Sequence, residues 1–319
     1  TETVYGLGGD ALRAESSRKI YAAKGRPSDN PLIVHIADIK DLDPIVTEIP
    51  ENAGKLAAAF WPGPLTMIFH KSGLVPKETT GGLDIVAVRL PSHKVAQRLI
   101  KASGGYIAAP SANLSGKPSP TLAKYVLEDM DGRVDAIIDG GDIPIGLEST
   151  IVDVSGGVPT ILRPGFITEE MLREVLGKVS TDPTILDGSC GDRPKAPGMR
   201  YRHYAPKGNL VIYEGNREEV GSAINRDAVA AKKAGKKTGV IATTESASAY
   251  QADCVKIIGS REKEEEVAAS LYRILREFDD EDVEEIFSES FSDTGLGCAI
   301  MNRLLKAAGH KVINLWEEA

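Results

Sequence analysis

Two rhythms of apolar positions alternate along the chain, one recurring every three or four residues and one every second residue. The slower rhythm marks a helix over Ser16–Lys24 that ends at Gly25, and an Ala-rich helix over Asn52–Phe60 that Trp61-Pro62-Gly63-Pro64 stops. The faster rhythm marks short strands at Leu32–Ile36, Leu65–Phe69, Ile85–Leu90 and Tyr106–Ala109. Ser92 is placed to cap a further helix that runs to the Gly104-Gly105 break. Leu122–Met130, Val134–Ile138, Thr150–Val154, Thr160–Leu162 and Glu169–Leu176 continue the mixture. The order is not a regular strand–helix–strand alternation, so residues 1–177 predict α/β architecture on a mixed twisted sheet rather than a doubly wound one.

Residues 178–207 change character: Pro183, Pro194, Pro197 and Pro206 accompany several glycines and little periodicity, which reads as a linker. From 208 to 319 the pattern is cleaner. Strands are expected at Leu210–Tyr213, Thr238–Ala242, Cys254–Ile258, Glu285–Glu289 and Lys311–Leu315, with helices at Glu218–Lys233, Lys263–Phe278 and Ala299–Ala308. That predicts a smaller α/β domain, Rossmann-like with a mainly parallel sheet.

The chain of 319 residues has room for two cores, and 42% hydrophobic and 26% charged residues are ordinary for a globular protein. A net charge of −8 argues against coating nucleic acid through bulk charge. Cys190, Cys254 and Cys298 are far apart and fit a reducing, cytoplasmic setting rather than a disulfide scaffold or a zinc site. No apolar run reaches the ~18 residues of a membrane helix. The chain starts at Thr1 without Met.

There is no GxxxxGK[ST] and no complete GxGxxG. Gly295-Leu296-Gly297 opens a predicted helix, and a lone GxG reads as a tight turn sooner than as a phosphate site. Two clusters stand out instead. Lys24-Gly25-Arg26-Pro27 could converge two cations on an anion, although composition alone favours a basic helix end. Pro110–Ser119 follows a strand with Ser and Asn side chains, and stands open between an oxyanion-binding loop and a polar turn.

Taken with Thr1–Gly8, Asn30-Pro31-Leu32, Trp61–Thr66, Val88-Arg89, Ala109–Asn113, Glu148-Ser149-Thr150 and Leu162–Gly165, these blocks closely resemble the YrdC-like threonylcarbamoyl-AMP synthases. Ala196–Pro206 resembles the long form of that family, with its extra C-terminal domain. The resemblance implies synthesis of threonylcarbamoyl-AMP and pyrophosphate from L-threonine, bicarbonate and ATP, toward the threonylcarbamoyladenosine modification of tRNA. It implies a threonine site of Thr3, His35, Arg89, Ala109 and Ser149. It also implies an ATP site of Lys24, Arg26, Asn30, Ile85, Ser111, Asn113, Ser119, Arg163 and Tyr204, with Lys24 and Arg26 acting catalytically from a solvated pocket. Mg²⁺ is expected with ATP, through protein ligands that the residues do not reveal. Downstream threonylcarbamoyl-transfer proteins and weak tRNA contact are the expected partners. Ala196–Pro206, with its Arg200–Tyr204 run, would close as a lid over the nucleotide. The competing reading is an RNA- or tRNA-binding module on the same fold, disfavoured by an aromatic content of 5%.

Overall fold

The structure, a computed structural model, describes residues 1–183, 185 and 203–316. Most of the expected lid, from Ala196 to Arg202, lies outside those residues. The chain divides into two compact units, Thr1–Ser115 with Ser119–Tyr201 and Gly116–Pro118 with Arg202–Ala319.

In the first unit the strands are β1 (Gly9–Asp10), β2 (Ile33–Ile36), β3 (Leu65–His70), β4 (Ile85–Arg89), β5 (Tyr106–Ala108), β6 (Thr150–Asp153), β7 (Thr160–Arg163) and β8 (Ser180–Thr181). The helices are α1 (Ala14–Lys24), α2 (Glu51–Phe60), α3 (Lys94–Ala102), α4 (Ala123–Met130) and α5 (Glu169–Leu176). The strands form one mixed sheet in the order β1-β5-β2-β4-β3-β6-β7-β8. β2 runs parallel to β4 and β3 parallel to β6, while β3–β4 and β6–β7 are antiparallel.

Alternation along these strands sorts the side chains by face. Val34, Ile36, Leu65, Met67, Phe69, Val86, Val88 and Val152 enter the main core, with Ile20, Tyr21, Leu56 and Leu172 from α1, α2 and α5. The intervening positions form a smaller buried cluster of Ile33, Ile68, Ala87, Ile151 and Leu162, with Ile85 at its margin. On that second face, toward one end of the sheet, the apolar residues give way to His35, Thr66 and Arg89.

Three local expectations change. α3 begins after His93, whose Nδ1 accepts from the Ala96 N–H at 3.4 Å, whereas the Ser92 N–H is committed to Glu2. Val134–Ile138 forms no strand; Val134 and Ile137 instead pack against a satellite cluster of Tyr5, Val126 and Met130. The stretch read as linker opens with the two-residue strand β8, parallel to β7.

The second unit carries β9 (Asn209–Glu214), β10 (Thr238–Ala242), β11 (Cys254–Ile257), β12 (Glu285–Glu289) and β13 (Val312–Asn314). They form a parallel sheet in the order β11-β10-β12-β9-β13, with α6 (Arg217–Lys233), α7 (Glu264–Asp280) and α8 (Gly295–Ala308) between them in sequence. At the start of α8 the Gly297 N–H donates to the Glu264 carboxylate at 2.9 Å, and a Cβ there would stand 2.6 Å from the Ser292 Cβ. A carboxylate from the chain itself occupies this helix start, so the GxG serves close packing.

Candidate active site

The strand directions gather the polar residues. β2 and β4 deliver His35 and Arg89 near their C-terminal ends, and the two stand opposite each other in register. β3 runs the other way, so Thr66, near its start, pairs with Arg89. Ser149 immediately precedes β6, and Arg163 closes β7 opposite Ile151. Four side chains from β2, β3, β4 and β7, with Ser149 just before β6, thus gather at one end of the sheet.

The Arg89 guanidinium is 3% exposed and anchored on several sides. Its Nε donates to the Gly63 carbonyl at 3.1 Å and its Nη1 to Thr3 Oγ1 at 2.8 Å. Its Nη2 lies 2.6 Å from Glu2 Oε1, an ion pair without a hydrogen-bond alignment. Burial, the largest single influence, works to raise the Glu2 pKa, but the Arg89 charge and the hydrogen bonds to the carboxylate together outweigh it and hold the carboxyl at about 2. His35 is buried, and its Nδ1 lies 3.2 Å from the Ile33 carbonyl. Burial and then the Arg89 charge push its pKa down to about 3, so the imidazole is neutral at working pH.

Ser149 joins this group to the next. Its Oγ lies 2.7 Å from Thr66 Oγ1, while Arg163 donates to its carbonyl through Nε at 3.0 Å and Nη2 at 2.9 Å, and to its Oγ at 3.2 Å. One step upstream, the Glu148 carboxylate accepts from Ser119 Oγ at 2.6 Å.

Ser111 and Asn113 lie in the loop after β5, where Ser111 bridges Gly6 and its Oγ donates to Asn113 Oδ1 at 2.5 Å. Lys24, at the end of α1, donates from Nζ to the Ser111 carbonyl at 2.5 Å and also to the Asn113 carbonyl. Gly25, with φ 62°, lets the chain turn so that Arg26 folds back on Asn30, Nη2 to Oδ1 at 2.6 Å. Lys24 is only 3% exposed, which corrects the expectation that it faces a solvated pocket, whereas Arg26 is half-buried.

Ala109 and Ile85 stand toward the other end of the strands. The Ala109 N–H is taken by the Ile33 carbonyl at 2.9 Å. Ile85 begins β4, roughly 13 Å along the strand from Arg89 at ~3.3 Å per residue. Tyr204 belongs to the second unit, buried with φ 63° and stacked on Tyr272 at 5.1 Å between centroids. Reading the sequence for candidate chemistry missed Glu2, Thr66 and Glu148. The signal available for Thr66 was a polar residue on the alternate face of an otherwise apolar strand.

Comparisons with known proteins agree across the chain. A family model described as "Telomere recombination" matches residues 1–165, and one described as "Threonylcarbamoyl-AMP synthase, C-terminal domain" matches residues 167–309. A threonylcarbamoyl-AMP synthase of Bacillus subtilis is 50% identical over 98% of this chain and 89% of the relative. One from Pyrococcus abyssi is 47% identical over 99% of this chain and 91% of the relative. The crystal structure of P. abyssi Sua5 complexed with L-threonine superposes with a TM-score of 0.93 at 47% identity, covering 99% of this chain and 91% of that one.

Proposed function

This chain belongs to the threonylcarbamoyl-AMP synthase family, in the form with a C-terminal domain, and from that membership we infer how its first unit works. It makes threonylcarbamoyl-AMP from L-threonine, bicarbonate and ATP, for the threonylcarbamoyladenosine modification of tRNA. In reaction class it is a nucleotidyltransferase. The observation that carries the reading is the buried Arg89–His35–Thr66–Ser149–Arg163 constellation at one end of the sheet.

In the proposed assignment the threonine carboxylate meets the Arg89 fork, which can bind two oxygens at once. Thr3, His35, Ser149 and the Ala109 backbone complete the amino-acid site. Because the imidazole is neutral, it adds no second positive charge there. ATP lies along the same face, with Lys24, Arg26, Asn30, Ser111, Asn113, Ser119 and Arg163 around it and Ile85 contributing backbone alone. Arg163 binds Ser149 through both its carbonyl and its hydroxyl, which supports a meeting of the two ligands at Ser149.

The neutral threonine amine attacks CO₂ and gives up a proton, or attacks bicarbonate with loss of water, to give a carbamate. A carbamate oxygen then attacks the α-phosphorus, and pyrophosphate leaves. No protein nucleophile is needed, so the residues' work is positioning a short-lived carbamate and balancing phosphate charge. Mg²⁺ would accompany the nucleotide and help balance the phosphate charge. Among the described residues no three His, Cys, Asp or Glu side chains converge as metal donors.

The proposed setting is the cytoplasm, with separate proteins passing the threonylcarbamoyl group to tRNA and a weak tRNA contact at most. Among the described residues no helix is long and apolar enough to cross a membrane. Purified protein should release pyrophosphate only when threonine, bicarbonate and ATP are all present. Release without threonine would overturn the reading.

A further inference from the structure

Glu2 is a charged side chain in the protein interior, 5% exposed, beside the proposed amino-acid site. Its two oxygens are treated differently. Oε1 accepts from the Ser92 N–H at 3.1 Å and faces Arg89 Nη2 at 2.6 Å. Oε2 is buried without a hydrogen-bond partner. Leaving a buried acceptor bare costs about 1–3 kcal/mol, more for a charged group. Such an atom amid converging polar side chains marks the place of a donor that arrives from outside.

We infer that Glu2 positions the Arg89 guanidinium through one carboxylate oxygen and offers the other to the side-chain hydroxyl of the amino-acid substrate. The inference rests on the assignment of threonine to Arg89. It adds a residue that sets which amino acid is accepted. With the substrate carboxylate on Arg89, the donors nearest to Glu2 are the α-amine and the β-hydroxyl. The amine must shed its proton before it can attack, and a carboxylate partner would stabilise its charged form. The hydroxyl keeps its proton throughout the reaction, so binding it to Glu2 opposes no step. A buried acceptor of this kind also discriminates, because an analogue without the hydroxyl leaves the oxygen unpaired.

The test compares L-threonine with L-2-aminobutyrate, which has the same carbon skeleton and no hydroxyl, by ATP-dependent pyrophosphate release at fixed bicarbonate. Wild-type protein should favour threonine in kcat/KM by at least about a hundredfold. In Glu2→Gln, which keeps side-chain size and one acceptor oxygen for Ser92 and Arg89, that preference should fall at least about tenfold. The loss should fall mainly on the threonine KM, with the ATP KM within about twofold of wild type. A merely structural glutamate would lower kcat or raise both KM values together, leaving the preference intact, and that result overturns the inference. Thermal stabilisation of the wild-type protein by each amino acid needs no variant, and equal shifts would overturn it as well. Pyrophosphate release by wild type that ignores threonine would instead sink the functional reading on which the proposal stands.

Discussion

Arg89 and Glu2 are each intelligible only through the other. A buried guanidinium alone would pull its own pKa down, and a buried carboxylate alone would push its own up, but together both stay charged. Removing the arginine would strand Glu2 at a cost of roughly 3–5 kcal/mol, so Arg89→Lys is the better probe. It keeps the charge but loses the planar fork, and it should raise the threonine KM at least about tenfold while changing the ATP KM little. Equal losses for both substrates in steady-state kinetics would make Arg89 a structural residue. His35 predicts a pH dependence. Its pKa is about 3 in the fold against 6.5 for the ordinary group, so below 6.5 the unfolded chain gains a proton that the folded chain does not take up. Stability therefore falls as pH drops from 6.5 toward 3. The Glu2 contribution is complete above 4.5 and is lost only as pH falls toward about 2. Chemical denaturation of His35→Gln across pH should show a shallower slope between 6.5 and 4.5, and an unchanged slope there would contradict the buried, neutral imidazole.

At the level of elements, the end of α1 is where sequence and structure inform each other most. Gly25 marked the helix stop, since its left-handed backbone suits a residue without a Cβ, and Lys24 ends the helix there. What the pattern could not carry is the long-range partner: Lys24 binds carbonyls of residues 111 and 113, far away in sequence. Lys24→Ala should therefore cut adenylate formation at least about tenfold and also lower stability by about 1–3 kcal/mol, because buried carbonyls lose their donor. Wild-type turnover at unchanged stability would refute both roles. The same reasoning explains the missed elements. Apolar alternation made β2, β3, β4 and β6 legible, but Val134–Ile138 has the residues of a strand and instead packs Val134 and Ile137 onto the Tyr5 cluster. Ser92 looked like a helix cap, but the helix starts one residue later and His93 Nδ1 accepts from the Ala96 N–H instead. Glu2 itself was a lone carboxylate with no periodic pattern to flag it.

Over the whole molecule, the α/β class of both units followed from periodicity, and the parallel sheet of the second from its cleaner strand–helix pattern. The first unit's strand order did not, because mixed pairing is set by contacts between distant segments. That order brings residues 35, 66, 89, 149 and 163 to one sheet end. L-Threonine and ATP should therefore bind on one face of the first unit, side by side near Ser149. A crystal structure with the two ligands in different units would contradict this arrangement. The most direct test of the central claim follows the carbon. Purified protein is incubated with ATP, L-threonine and ¹³C-bicarbonate, and the nucleotide product is analysed by mass spectrometry. The account predicts threonylcarbamoyl-AMP carrying the label on its carbamoyl carbon, formed in step with pyrophosphate. A labelled product that forms without threonine, or pyrophosphate released while no label enters a nucleotide, would contradict it.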